Sequence, residues 1–266
     1  MTKCLEFEID SLVTRGMAHE LRCEDDALVY EDERIVAVGV FDGCSSGIDS
    51  HVASTWHKRW FGRLIEHNSP VPKYVKDTKV LFDRTMLQYM DMSYENGKEM
   101  LSTVLICVVE KATGDYSILV AGDGYVRTPE VEESIHDPNG NEVWYMSSLR
   151  MQPYDECERY YNDYCRKYHG TLEDGQEIMI STDGIESFLT GIGAKANEFA
   201  RDVFIHPETL GGKFVNMPLI RRYRLATNGK LPYLNGEKIR NYDDFSMVVV
   251  KVRKKDESIE GMEGQA

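Results

Sequence analysis

The sequence lacks an excess of positive charge. Its 266 residues include 31 Lys and Arg against 45 Asp and Glu, which gives a formal net charge of −14. No cluster of basic residues interrupts this balance, and the pair Lys254-Lys255 is too short to attract a polyanion. Nucleic acids and anionic lipid surfaces repel such a chain. We therefore expect neither a nucleic acid nor a membrane among its partners.

Long apolar runs and cysteine pairs are also missing. No stretch approaches the ~20 apolar residues that cross a bilayer, and the charged opening MTKCLEFEID is unlike a signal peptide. The six cysteines include no Cys-x-x-Cys pair, and the histidines form no HExxH motif. These absences disfavour a disulfide scaffold and a zinc hydrolase. A reduced, cytoplasmic protein is the simplest interpretation.

Three apolar, strand-like segments end in Asp-Gly, and a fourth Asp precedes the last such segment. The acids are Asp42, Asp123 and Asp183, followed by Asp243 before FSMVVVKV. A strand that ends in a carboxylate delivers it to the rim of a sheet, where ligands commonly bind. Carboxylates gathered there repel one another unless a hard divalent cation such as Mg²⁺ or Mn²⁺ lies between them. A metal-dependent phosphate enzyme is the first hypothesis.

Asp-Gly is also the favoured pair for a tight hairpin turn, which is the simpler alternative for each instance. Helix-like sequence follows Asp42-Gly43 and Asp183-Gly184, a pattern more typical of a ligand site than of a turn. Tyr-Val-Arg follows Asp123-Gly124, so a turn stays open there.

The chain length suits one domain over residues 1–253, with a polar, disordered tail over 254–266. Residues 101–124 predict an antiparallel hairpin, and a second hairpin is predicted to turn at Asn139-Gly140. Helices are predicted after Asp42, at 74–92, at 155–169 and through much of 191–240. We interpret 191–240 as a lobe over the site.

Taken in order, the motifs resemble those of the type-2C-like, metal-dependent Ser/Thr protein phosphatases (the PPM family). The resemblance covers nearly the whole chain. It rests on CEDD at 23–26, VGVFDG at 38–43, LSTVLICVV at 101–109, LVAGDGYVR at 119–127, MISTDGIESF at 179–188 and YDDFSMVVVKV at 242–252.

The resemblance implies an α+β fold, a four-layer α-β-β-α sandwich of two antiparallel sheets flanked by helices. It places a centre of two Mn²⁺ or Mg²⁺ ions between the sheets, with a position for a third ion. Asp42 would bridge the two ions, Asp183 and Asp243 would complete one, and Glu24 with the carbonyl of Gly43 would serve the other. The implied position for a third ion is Asp123 with Asp183, and Asp25 would have a supporting role.

The implied activity is hydrolysis of phosphoserine or phosphothreonine in a protein substrate, by direct attack of a metal-bridging water or hydroxide. Asp42, Asp183 and Asp243 would be catalytic through that water. A covalent phosphoenzyme is not required, which agrees with the absence of a Cys-x5-Arg loop.

The sequence departs from the family at several positions. Glu20 stands where many members have a phosphate-binding Arg. The candidates to replace it are His19, Arg15 and Arg22. Cys44 stands in place of a common His, and Asp244 in place of an Asn. Two alternatives therefore stay open: a pseudophosphatase that acts as a binding or regulatory module, and a two-metal hydrolase of small phosphate esters.

Overall fold

Two five-stranded antiparallel sheets form the centre of the protein. The computed structural model describes residues 5–19, 22–44, 50–67, 101–136, 145, 156, 159, 162–190, 194–231 and 236–253. The predicted helix at 74–92, the predicted turn at Asn139-Gly140 and the tail 254–266 lie outside this part of the chain.

The first sheet has the strand order β2-β3-β4-β5-β8, and every neighbouring pair is antiparallel. Its strands are β2 (Asp26–Glu31), β3 (Ile35–Gly43), β4 (Ser102–Glu110), β5 (Asp115–Ala121) and β8 (Arg166–Thr171).

The second sheet has the order β1-β12-β9-β6-β7, again antiparallel throughout. Its strands are β1 (Phe7–Thr14), β6 (Gly124–Arg127), β7 (Glu132–Ile135), β9 (Glu177–Ser181) and β12 (Phe245–Val252). A short pair, β10 (Phe188–Leu189) with β11 (Arg240–Asn241), lies outside the two sheets.

Both faces of the central strands are covered, which explains their continuous apolar runs. In β3, Val36, Val38 and Val40 enter the core between the sheets, whereas Ala37 and Phe41 face the other side. There they pack against α1 (Ser50–His67).

The second sheet is covered by the helices α2 (Ala194–Ile205), α3 (Gly212–Val215) and α4 (Leu219–Thr227). Phe204 and Leu219 pack against Phe245 and Met247, which point away from the core between the sheets. The predicted α-β-β-α architecture is confirmed. The described part of 191–240 thus forms an outer helical layer, and its interpretation as a lobe over the site stays a prediction.

Two sequence predictions of helix extended too far, although the described residues 156, 159 and 162–164 are helical as predicted. Residues 166–169, assigned to a helix over 155–169, belong to β8, where Ile118 pairs with Tyr168. Strand pairing satisfies the backbone at this edge of the sheet and lets Tyr168 reach the core between the sheets. At Asp183 a short 3-10 helix (Asp183–Glu186) forms, and Phe188 after it lies in β10 and stacks on Phe204.

Asp123-Gly124 is not a hairpin turn, because the strands before and after it belong to different sheets. Gly124 has φ +146°, and a Cβ there would lie 2.7 Å from the carbonyl oxygen of Ser181. The glycine therefore allows the chain to cross between the sheets. Among the described helices, none is long and apolar enough to cross a membrane.

Candidate metal centre

Four aspartates from both sheets meet at one end of the sandwich. Asp42 lies in the end of β3, and Asp123 and Asp183 each follow a strand by two residues. Asp243 precedes β12 by two residues. All four line one cavity of about 110 Å³, together with Gly43, Cys44, Thr103 and Tyr145. The packing of the two sheets thus brings together, at one end of the sandwich, acids that are distant in sequence.

Three of the acids form a tight cluster. One carboxylate oxygen each from Asp42, Asp123 and Asp183 lies within 4.8 Å of the other two. Oxygen atoms at this separation can contact a single small cation, and carboxylates are the ligands that Mg²⁺ and Mn²⁺ prefer. Oδ1 of Asp183 is buried and has no hydrogen-bond partner among the described residues. The donor set therefore fits a hard divalent cation.

The electrostatics of the cluster point the same way. Burial, with the charges of Asp123 and Asp243, raises the pKa of Asp183 to about 7. Burial, with the charges of Asp25 and Asp183, raises the pKa of Asp42 well above its usual value. The pKa of Asp123 is also raised by burial. These carboxylates hold their negative charge at a cost that a bound cation would remove.

Asp243 lines the cavity but stands apart from the cluster. Its side chain is 44% exposed, and its Oδ1 lies 2.9 Å from Nε2 of His19. The resemblance pairs Asp183 with Asp243, whereas the geometry groups Asp183 with Asp42 and Asp123. Asp123, named only for a third ion, is thus a member of the tightest cluster in the described part of the chain.

Glu24 and Gly43 are neighbours, as the resemblance implies. The amide of Gly43 donates to the carbonyl oxygen of Glu24 at 3.1 Å, and the Glu24 carboxylate lies 3.5 Å from Nδ1 of His19. A Cβ at Gly43 would lie 2.5 Å from the carbonyl oxygen of Ser50. The glycine is therefore required by the close approach of the start of α1.

Two buried acids, Asp25 and Asp244, form hydrogen bonds on the buried side of the centre. Asp25 accepts a hydrogen bond from Oγ1 of Thr182 at 2.8 Å and is hydrogen-bonded to Asp42. Burial is the main reason that the pKa of Asp25 rises to about 8. Asp244, 2% exposed, accepts from the amide of Gly16 at 2.6 Å and from that of Glu24. Together they join the segment before β2 to the strand ends that carry the cluster.

Sequence reasoning missed Thr182 and the bracing role of Asp244. The only signal for Asp244 was its departure from the Asn of the family pattern. Thr182 gave the weaker signal of lying beside Asp183. Neither position reveals its distant partner from sequence, because the hydrogen bonds span 157 and 220 positions of the chain.

The three candidates for phosphate binding lie in different surroundings. His19 contacts Glu24 and Asp243. Arg15 lines a neighbouring groove, and Arg22 donates to Nε2 of His51 at 2.8 Å. His19 thus contacts an acid that lines the cavity. Glu20 lies outside the described residues.

Known structures share this fold at low sequence identity. A bacterial serine phosphatase is 11% identical, with a TM-score of 0.60 over 94% of this chain and 100% of its own. The serine/threonine phosphatase of S. agalactiae is 12% identical, with a TM-score of 0.57 over 93% and 100%. RsbX, solved in complex with magnesium, is 12% identical, with a TM-score of 0.51 over 95% and 100%. These likenesses establish the fold alone.

Comparison by sequence establishes the family. No curated protein matches the chain. The family model described as protein phosphatase 2C matches residues 14–211, well over half of the sequence. The matched range contains Asp42, Asp123 and Asp183, the three clustered acids. The chain belongs to the protein phosphatase 2C family.

Proposed function

We propose that the protein is a metal-dependent phosphatase that removes phosphate from phosphoserine or phosphothreonine in proteins, using Mn²⁺ or Mg²⁺. The observation that carries this proposal is the cluster of Asp42, Asp123 and Asp183, whose carboxylate oxygens lie within 4.8 Å of one another. Family membership supplies the reaction class.

The residues that would hold the cations are the four cavity aspartates, with Glu24 and the carbonyl of Gly43 for a second ion. When bound, the cations would stabilise negative charge on the phosphoryl oxygens and lower the pKa of water towards neutrality. Asp25 and Thr182 fix the position of Asp42 from the buried side. His19 holds Glu24 and Asp243 near each other at the open side.

Turnover of para-nitrophenyl phosphate against Mn²⁺ concentration tests the proposal. We expect turnover that requires Mn²⁺, stops with EDTA and is lost in Asp42→Asn. The matched control is Asp174→Asn, which changes an exposed aspartate in the turn after β8. Activity of Asp42→Asn equal to that of Asp174→Asn would overturn the proposal.

The two alternatives give different results in the same experiment. A binding module without activity would take up Mn²⁺, measured by titration calorimetry, and show no turnover with any phosphorylated substrate. A hydrolase of small esters would turn over para-nitrophenyl phosphate and leave phosphopeptides intact. A panel of phosphoserine and phosphothreonine peptides therefore completes the test.

A further inference from the structure

A larger groove lies beside the candidate metal centre. Its volume is about 590 Å³, and it runs between residues 15–19, one side of α4 and residues 238–241. This size is within the range of pockets that enclose a small ligand or a few side chains. Three of its lining side chains are cationic: Arg15, Lys238 and Arg240.

The charge of the groove contrasts with the charge of the chain. None of the described lining residues is acidic, although the whole sequence carries −14. Lys238 and Arg240 are exposed, and neither forms an ion pair with a described acidic residue. A local group of cations on an acidic protein attracts anions selectively to that place.

The groove and the centre share a wall. His19 lines the groove, and its Nε2 lies 2.9 Å from Oδ1 of Asp243, which lines the centre. Asn241, another lining residue, donates from Nδ2 to the carbonyl oxygen of Asp243 at 3.0 Å. A ligand in the groove is thus separated from the centre by one layer of side chains.

We propose that this groove binds an acidic segment of the phosphoprotein substrate, next to its phosphorylated residue. The proposal rests on the proposed phosphatase function and adds a substrate class to it. Guanidinium groups bind planar carboxylates in a bidentate fashion, and Lys238 adds a third positive charge. Asp or Glu side chains near the phosphorylated residue would therefore distinguish preferred substrates from others.

Two phosphoserine peptides of equal length test the proposal, one with two Glu close to the phosphoserine and one with Gln at those positions. For the natural protein we expect kcat/KM to be roughly three- to tenfold higher for the Glu peptide, mainly through KM. In the double variant Lys238→Gln, Arg240→Gln this ratio should fall towards one. The control is Arg221→Gln, an exposed cation on the opposite side of α4 from Tyr223, which lines the groove.

A ratio near one in the double Gln variant could also result from damaged folding, and a charge-reversed variant tests this. The double variant Lys238→Glu, Arg240→Glu should prefer a peptide with two Lys at the same positions. Equal kcat/KM for the Glu and Gln peptides with the natural protein would overturn the proposal. So would a preference for Glu that survives in the double Gln variant.

A binding measurement separates this proposal from the proposed function. Fluorescence anisotropy of an unphosphorylated Glu peptide reports on the groove even if the protein turns over no phosphate ester. Weaker binding by the double Gln variant, with Arg221→Gln equal to the natural protein, supports the groove in that case. Absence of turnover with intact Glu-selective binding would contradict the phosphatase alone.

Discussion

The two cavities on either side of His19 are opposite in size, burial and charge. The metal centre is small, at about 110 Å³, and four aspartates line it. The groove is about 590 Å³, with three cations on its wall. Buried carboxylates held close together repel one another strongly unless a cation is bound, whereas exposed cations gain only a little free energy from binding an anion. Changes in the centre should therefore abolish function, and changes in the groove should only alter selectivity.

The largest effect is expected from Asp183→Asn. The substitution removes a clustered carboxylate whose Oδ1 lacks a described partner, so both Mn²⁺ affinity and turnover should fall by at least ~10²-fold. Calorimetry and para-nitrophenyl phosphate kinetics measure the two losses. A variant that keeps full Mn²⁺ affinity would show that Asp183 lies outside the metal site.

The buried acids of the metal centre should make the stability of the protein depend on pH. Folding raises the pKa of Asp25 to about 8 and that of Asp183 to about 7, chiefly by burial. Between about pH 4 and these raised values the native state binds more protons than the unfolded state, so the free energy of unfolding falls as pH rises over that interval and levels off above about pH 8. Burial lowers the pKa of His57 from 6.5 to about 3. This histidine therefore makes the free energy of unfolding rise with pH, but only below about pH 6.5.

We therefore expect the Tm of the metal-free protein to fall as pH rises from about 6.5 to about 8 and to level off above that. Asp25→Asn should flatten this dependence, and saturating Mn²⁺ should offset it because a cation favours the ionised carboxylates. Thermal denaturation at a series of pH values provides the measurement. A natural-protein Tm that rises over the same range would contradict the electrostatic account.

A smaller effect is expected from changes at Asp244, which accepts from the amides of Gly16 and Glu24. Asp244→Ala leaves both donors without this acceptor and should lower the free energy of unfolding by about 2 kcal/mol. Asp244→Asn keeps one carbonyl oxygen and should lose about half as much. Denaturant unfolding tests the order of the variants. Equal stability of all three proteins would mean that this bracing contributes nothing.

The smallest effect is expected in the groove, where Arg15→Gln should raise KM for the Glu phosphopeptide about two- to threefold. Arg22, which is bonded to His51, is not among the residues that line the groove. Arg22→Gln should therefore change the ratio of Glu to Gln peptide kinetics less than Arg15→Gln does. A larger change for Arg22→Gln than for Arg15→Gln would indicate that the acidic side chains bind near the start of α1 and not in the groove.

The layers of the fold were predictable through the family resemblance of the ordered motifs. Continuous apolar runs such as that of β3 agree with that prediction, because they mark strands that are covered on both sides. The helix predicted over 155–169 was wrong at 166–169, because these residues pair with β5 in the sheet. Local patterns do not contain that long-range information.

The candidate site was predictable in its members but not in its grouping. Asp-Gly after an apolar strand identified Asp42, Asp123 and Asp183, although the expected rim of an open sheet is here the end of a sandwich. The separation of Asp243 from the cluster depends on its contact with His19. The groove could not be predicted from the sequence, since Arg15 and Lys238 are more than two hundred positions apart.

The central claim is that Asp42, Asp123 and Asp183 bind a divalent cation. Anomalous diffraction from crystals grown with Mn²⁺ tests it most directly. The account predicts a manganese peak within roughly 2.5 Å of carboxylate oxygens of Asp42, Asp123 and Asp183. A peak elsewhere, or none at a Mn²⁺ concentration that supports turnover, would contradict it.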